Sequence, residues 1–294
     1  MNDFIERVLS EKYQYKISSS EFIGEGWMSK AYLLNSDTIL RVAKSEYASE
    51  DLYKEHLLMP YVNKKISINT PVIDILDCQE NGKHFMTYPL LDGVFLDREN
   101  FRHLSIKQKN QFLTQLVKIM DQLNSVKVEE ELMEEYTIDI RQDYIEEYEM
   151  YKQRVLPLLD RELREKIQHI YEAYINNKKH FSFEPKLIHR DISFDHLLFD
   201  KQTNECIGLI DFGDMTFSDP DLEYMYLLEE FGLEFTKKIM RLRQNKDTKT
   251  SLDKVCFFLL TDNISIIDEG VKKSNHDLIL EGIALVKKTL LQYY

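Results

Sequence analysis

Apolar residues along this chain recur at two different periods, and the change falls near residue 90. Phe4, Ile5, Val8 and Leu9 stand at helical spacing and predict an amphipathic helix within residues 1–16. Residues 21–26 and 31–34 then read as a strand and its return, and residues 38–44 alternate so that Val42 and Lys44 share a face. A helical run covers residues 51–58. Two further strands, residues 72–76 and 84–88, flank Asn81-Gly82, a strong hairpin signal because such turns need positive φ. Together these predict a small antiparallel sheet.

Beyond it the helical period dominates. Ser105 and Gln108 form a capping-box pair, after which Leu113, Leu116, Val117, Met120 and Leu123 mark one face of a long helix. Residues 129–182 are acidic and rich in tyrosine, with Tyr136, Tyr144, Tyr148, Tyr151, Tyr171 and Tyr174 spaced through predicted helices. Short apolar runs at Leu187-Ile188, Leu197-Leu198-Phe199 and residues 207–210 interrupt the helices as buried strands. Asp219 is placed to cap a helix with Pro220 in its first turn, and Leu222, Met225 and Leu228 lie along that helix's buried face.

Composition adds limits. With 294 residues, 43% of them hydrophobic, the chain can fill the cores of two lobes. Its 38 Lys and Arg against 51 Asp and Glu leave a formal charge of -13, a field that repels nucleic acid and attracts polycations, or else simply keeps the surface soluble. No apolar run reaches the roughly 18 residues of a membrane span, and the first residues lack the features of a signal peptide, so no membrane partner and a cytoplasmic location are expected. Cys78, Cys206 and Cys256 form no C-x-x-C pair and suggest neither a disulfide framework nor a zinc site.

The chemistry is concentrated in His189-Arg190-Asp191 and Asp211-Phe212-Gly213, two carboxylates at the ends of predicted strands. Transfer of a γ-phosphoryl group needs one carboxylate to orient a hydroxyl and take its proton, and hard ligands to hold Mg²⁺ on the phosphates. Asp191 suits the first role and Asp211 the second. In protein kinases the H-R-D motif is followed after four residues by Asn; here His196 stands there, a softer metal ligand. Upstream, Gly24 and Gly26, with Ser29 near the third glycine position, suit a hairpin tip whose N–H groups approach phosphate. Lys44 is expected to bind the α- and β-phosphates, steadied by Glu55, with Val42 covering the base; Arg41 competes for the Lys44 role. Pro89-Leu90-Leu91-Asp92-Gly93 reads as the hinge that meets the base through its backbone, which puts Pro89 and Leu91 at the nucleotide.

From His189 to Asp214, and on through Ser218-Asp219-Pro220-Asp221, the chain resembles the aminoglycoside phosphotransferases, and within them the 2''-phosphotransferases, where His takes the Asn position. The resemblance runs from about Phe22 to Phe235. It implies transfer of phosphate from GTP or ATP, with Mg²⁺, to a hydroxyl of an aminoglycoside, the 2'' position being the expected one. It also implies that Tyr88 guards the inner end of the base pocket and favours GTP. The substrate's ammonium groups are expected at Asp191, Asp214, Glu229, Glu230 and Asp268, with Glu234 and Asp262 as further candidates. Within enzymes, a choline-type or amino-alcohol kinase remains an alternative; outside them, an inactive nucleotide-binding module does.

The expected fold is mixed α/β (α+β): a two-lobed, protein-kinase-like arrangement with a small antiparallel-sheet N-lobe over residues 1–91 and a larger, mainly helical C-lobe over residues 92–294. Within the latter, residues 92–182 form the helical core and insertion, and residues 183–294 the catalytic loop and C-terminal helices. A monomer is expected, taking an aminoglycoside and a purine nucleotide.

Overall fold

Alternation over the first ninety residues becomes a five-stranded antiparallel sheet in the computed structural model, which describes residues 3–294. In chain order come α1 (Asp3–Lys12), β1 (Ser20–Glu25), β2 (Ser29–Leu34), β3 (Thr38–Ala43), α2 (Glu46–Val62), β4 (Ile75–Cys78) and β5 (His84–Pro89). Next are β6 (Val94–Phe95), α3 (Arg98–His103), α4 (Ile106–Asn124), α5 (Glu130–Glu135), α6 (Ile140–Arg154) and α7 (Arg161–Asn176). The strands β7 (Lys186–Ile188), β8 (Leu197–Phe199), β9 (Cys206–Leu209) and β10 (Thr216–Ser218) follow, then α8 (Tyr224–Phe231), α9 (Leu233–Leu242), α10 (Thr248–Lys272) and α11 (His276–Tyr293).

Contacts divide the chain into two compact units. One comprises the chain up to Leu132 together with Phe194–Met215; the other comprises Met133–Ser193 and Thr216–Tyr294. In the first, the sheet runs β1-β2-β3-β5-β4 and both its faces are covered. Ile39 and Ala43 of β3 pack with Ala48 and Leu52 of α2 on one face, whereas Leu40 packs with Ile5 and Leu9 of α1 on the other. The divide does not fall at the 91/92 boundary drawn from the sequence. Antiparallel pairing of β6 with β8, and the contact of Phe112 in α4 with Phe199, tie later segments to the first unit. Asn69 adds to this, its backbone hydrogen-bonding Ile207 and Leu209 of β9 at 2.8 and 2.9 Å.

The helix starts follow their caps. Ser45 Oγ accepts from the N–H of Ala48 at the head of α2, and Ser105 with Gln108 makes both halves of the capping box on α4. Only β4 departs clearly from its apolar run. It begins at Ile75 rather than residue 72, because Val72 is exposed and the ladder to β5 sets the start.

The second unit is built on aromatic packing. Tyr144, Tyr148, Tyr151, Tyr171 and Tyr174 of α6 and α7 are buried, and Tyr174 stacks on Phe257 of α10 with ring centres 3.6 Å apart. Helices α10 and α11 approach closely at two glycines. A Cβ on Gly270 would lie 2.7 Å from Ile279, and one on Gly282 would lie 2.6 Å from Ile267, so neither position admits a side chain without movement. Strand β7 pairs with β10, joining Ile188 to Thr216, and Asp219 caps a 3-10 turn over Pro220–Glu223 that leads into α8.

Candidate active site

The residues singled out from the motifs fall in both units. In the first, alternation along β3 turns Arg41 to the same side as Ile39 and Ala43, the side that carries α2. There Arg41 Nη1 donates to Glu55 Oε2 at 2.9 Å, Nη2 to Asp211 Oδ1 at 2.8 Å, and Nε to Ser29 Oγ at 3.3 Å. Arg41 and Glu55 are both buried, at 7% and 0% side-chain exposure. Burial pushes the Glu55 carboxyl up to about 7, with the Arg41 cation opposing. For Arg41, burial works against the charge, but Asp211 and Glu55 more than offset it and its pKa is raised. Tyr88, buried in the same cluster, also bonds to Arg41.

This corrects two expectations. Lys44 does not pair with Glu55; it is directed to the opposite side of the strand, where Nζ meets Glu25 Oε1 at 2.6 Å and the Gly26 carbonyl at 3.0 Å. Val42 packs with the α1 cluster of Leu34, Leu40 and Phe85, on the face away from Glu55. The reason is the two-residue period of a strand: Val42 and Lys44 do share a face, and it is the α1 face. Gly24 and Gly26 lie at the tip of the β1–β2 hairpin with nothing within 4 Å of a built Cβ, so no internal contact demands glycine there. Pro89 ends β5 and is exposed, and Leu91 beyond it is half-buried.

His196 and Asp211 are brought together by the backbone. Ile210 N–H donates to the His196 carbonyl at 3.0 Å, which leaves His196 Nε2 3.7 Å from Asp211 Oδ2. Asp211 has φ 61°, in the left-handed region that non-glycine residues seldom adopt and that clusters at functional sites. The pair fits Mg²⁺. Two ligands each about 2.1 Å from one ion lie at most roughly 4.2 Å apart, and Mg²⁺ keeps several waters or phosphate oxygens rather than a full protein cage. Asp211 is 44% exposed, leaving room for them. Asp214, the next acidic residue, is also exposed.

In the second unit His189 is fully buried, its N–H donating to Glu223 Oε1 at 2.7 Å. Its ring Nδ1 accepts from the Asp191 N–H at 3.3 Å, so the residue holds the loop that carries Asp191. Arg190 between them has φ 73°, a second left-handed non-glycine position. Around Asp191 the field is acidic. Burial, then Glu229, raise Asp262 to about 6, with Asp191 adding to the rise and Arg190 and the Tyr226 hydroxyl opposing it. Glu147 on α6 is raised to about 7 by burial and accepts from the Tyr171 hydroxyl at 2.7 Å. Glu229 and Glu230 are half-buried in the last turn of α8, and Glu234 is exposed in α9.

Asp268, expected at the substrate, is engaged within the protein. It is buried and accepts both Nε and Nη2 of Arg154, at 2.7 and 2.9 Å, with Lys272 at 2.9 Å. Its oxygens are taken by a cross-tie between α6 and α10. Two residues carry more than the sequence reading assigned them. Arg41 stood only as a competitor to Lys44, although its apolar neighbours Ile39 and Ala43 signal a charge on a buried face. Glu223 belongs to none of the motifs, although an acid inside the apolar run from Leu222 to Leu228 calls for a buried partner.

Phosphoryl-transfer enzymes use a glycine-rich loop, a basic–acidic ion pair and a metal-binding carboxylate, and this chain carries a glycine-tipped hairpin, the Arg41–Glu55 pair and Asp211. Residues 19–248 match the phosphotransferase enzyme family, and the chain belongs to it. Among solved structures it is similar to the GDP and kanamycin complex of APH(2")-IIia, with 29% identity, TM-score 0.92 and 99% of each chain covered. It is likewise similar to the GDP complex of wild-type aminoglycoside 2'-phosphotransferase-IIIa, with 28% identity, TM-score 0.90 and 99% of each chain covered. A gentamicin complex of APH(2")-IIa, at 23% identity, TM-score 0.81 and coverage of 100% and 97%, shares the fold. The fold is thus the mixed α/β, kinase-like one, with an antiparallel-sheet N-lobe and a helical C-lobe. Among the described residues, no helix is long and apolar enough to cross a membrane.

Proposed function

We propose that this phosphotransferase transfers the γ-phosphate of GTP or ATP to a hydroxyl of an aminoglycoside, the 2'' hydroxyl being the one expected, and so inactivates the antibiotic. The observation that carries the reading is the Arg41 guanidinium joining Glu55 to Asp211, with His196 beside the latter. Such a cation, fixed by a buried carboxylate, is suited to the nucleotide's phosphates. The similarity to enzymes solved with GDP and kanamycin supports the substrate pair.

Asp211 and His196 would hold Mg²⁺, which when bound neutralises charge on the transferring phosphoryl group. Asp191 orients the sugar hydroxyl and accepts its proton. Asp262, Glu229, Glu230 and Asp214 supply the carboxylates that a polyamine needs. Gly24 and Gly26, with Ser29 opposite, bring the β1–β2 hairpin tip to the phosphates, and Pro89 and Leu91 present the hinge to the base. Tyr88, a bulky ring at the end of β5, narrows the base pocket in favour of GTP. The protein acts as a cytoplasmic monomer, with residues 1–91 serving the nucleotide and residues 92–294 serving catalysis and the acceptor.

The test is to incubate the full chain and Mg²⁺ with GTP or ATP and either kanamycin, gentamicin or choline, then to follow product by mass spectrometry and NMR. A monophosphorylated aminoglycoside carrying phosphate at 2'', formed faster with GTP, is expected. Turnover of choline alone, or of no acceptor, would overturn the assignment.

A further inference from the structure

Beyond residue 248, where the family match ends, α10 carries a buried lysine that the proposed chemistry does not use. Lys254 Nζ meets Asp219 Oδ1 at 2.8 Å, Asp219 Oδ2 at 2.7 Å and Asp221 Oδ2 at 2.6 Å, and its side chain is only 6% exposed. Asp221 Oδ2 also accepts from Ser251 Oγ at 2.8 Å, whose oxygen accepts in turn from Asn245 Nδ2 at 2.8 Å. One cation thus neutralises two carboxylates that frame the 3-10 turn over Pro220–Glu223, and Asp219 Oδ1 closes the turn by accepting the Asp221 N–H at 3.0 Å. The last residue of that turn is Glu223, whose Oε1 receives the His189 N–H, and His189 receives the Asp191 N–H.

We propose that Lys254 is a positioning residue for phosphoryl transfer: it fixes the Asp219–Glu223 turn, and through Glu223 and His189 it sets where the loop presents Asp191. The proposal rests on the reading of Asp191 as the group that accepts the hydroxyl proton. Every link in it lies within one compact unit. Without the lysine, the two acids repel each other in a buried setting and the turn must open to hydrate them. Glu223 moves with the turn, and the backbone bond to His189 lengthens. A shift of about 1 Å at a reacting group is enough to cost roughly 10²-fold in rate.

The test uses the full-length protein with Lys254→Met, Lys254→Arg, Glu223→Gln and the double variant Lys254→Met/Glu223→Gln. Backbone hydrogen exchange at His189 and Asp191 is measured beside kcat and KM. Lys254→Met should speed exchange at both amides, lower kcat at least about tenfold and leave the KM for nucleotide within about twofold. Lys254→Arg, which keeps the charge, should recover most of kcat. Because the route runs through Glu223, the double variant should be little worse than the poorer single one. Unchanged exchange at His189 and Asp191 in folded Lys254→Met, or single effects that multiply in the double variant, would overturn the proposal. Should Lys254→Met fail to fold, Asp221→Asn, which leaves Lys254 paired with Asp219, is read by the same exchange and kinetics. If the amides loosen while no aminoglycoside is turned over even by the unaltered protein, the coupling stands and the assignment of Asp191 falls.

Discussion

Arg41 Nη1 lies 2.9 Å from Glu55 Oε2, and both side chains are withdrawn from solvent. The relationship makes a direct comparison between two basic residues three positions apart. Arg41→Met removes the cation and leaves Glu55 buried without it, so stability should drop by about 3 kcal/mol and kcat/KM by at least roughly 10²-fold. Lys44→Met, at an exposed side chain just past the end of β3, should hold kcat/KM within about twofold. Steady-state kinetics and thermal melts of the two variants check this. The opposite ranking would return the phosphate role to Lys44.

Asp191→Asn keeps the shape of the side chain and removes its basicity. The expected result is a kcat lower by about 10² to 10⁴-fold with nucleotide affinity unaltered, since removing a general base acts on the chemical step. Nucleotide titration beside turnover separates the two effects, and near-normal turnover would require another base.

Glu147 gives a stability signature with a definite sign. The folded chain holds its proton up to about pH 7, whereas the ordinary value is 4.5, so folding binds a proton in that window. Stability therefore falls as pH rises from about 4.5 to about 7 and levels off above. Glu147→Gln keeps an acceptor for the Tyr171 hydroxyl and has no charge to bury, so it should be more stable than the parent by about 1–3 kcal/mol at pH 8. Below about pH 4.5 the two should coincide. Denaturant unfolding at pH 8 and pH 4 reads the difference directly.

Asp268 and Glu229 should part company. Asp268→Asn weakens the tie of a buried carboxylate to the partly exposed Arg154 and Lys272 and should cost about 1–2 kcal/mol of stability with the KM for kanamycin unchanged. Glu229→Gln should do the reverse, raising that KM about tenfold or more with little loss of stability. If Asp268→Asn instead raised KM in a stable protein, the ion pair would have to open for the substrate.

Much of this is legible in the sequence. The capping box at Ser105 and Gln108, the Asn81-Gly82 turn and the Asp219-Pro220 start are local signals, and local signals survived folding. Opposing faces were harder. Both sides of the β3 strand are covered, by α1 and by α2, so alternation sorts residues 38–44 into two sets without saying which set meets Glu55. Alternation alone therefore leaves Arg41 and Lys44 as rivals, and packing puts Arg41 beside Glu55. The ion pair of Asp268 is hidden for a different reason: its partner Arg154 is 114 residues away, and an acid in a helix reads as solvated until such a partner is seen.

The glycine pair in the C-terminal hairpin bears on how the chain tolerates change. Gly270 seats against Ile279 and Gly282 against Ile267, one notch on each helix, so a slide of one turn would drive a side chain into backbone at both places. The two helices are keyed in a single register, and Lys254 rides on one of them. Substitutions at these glycines therefore force α10 and α11 apart, and the disturbance reaches the helix that carries Lys254.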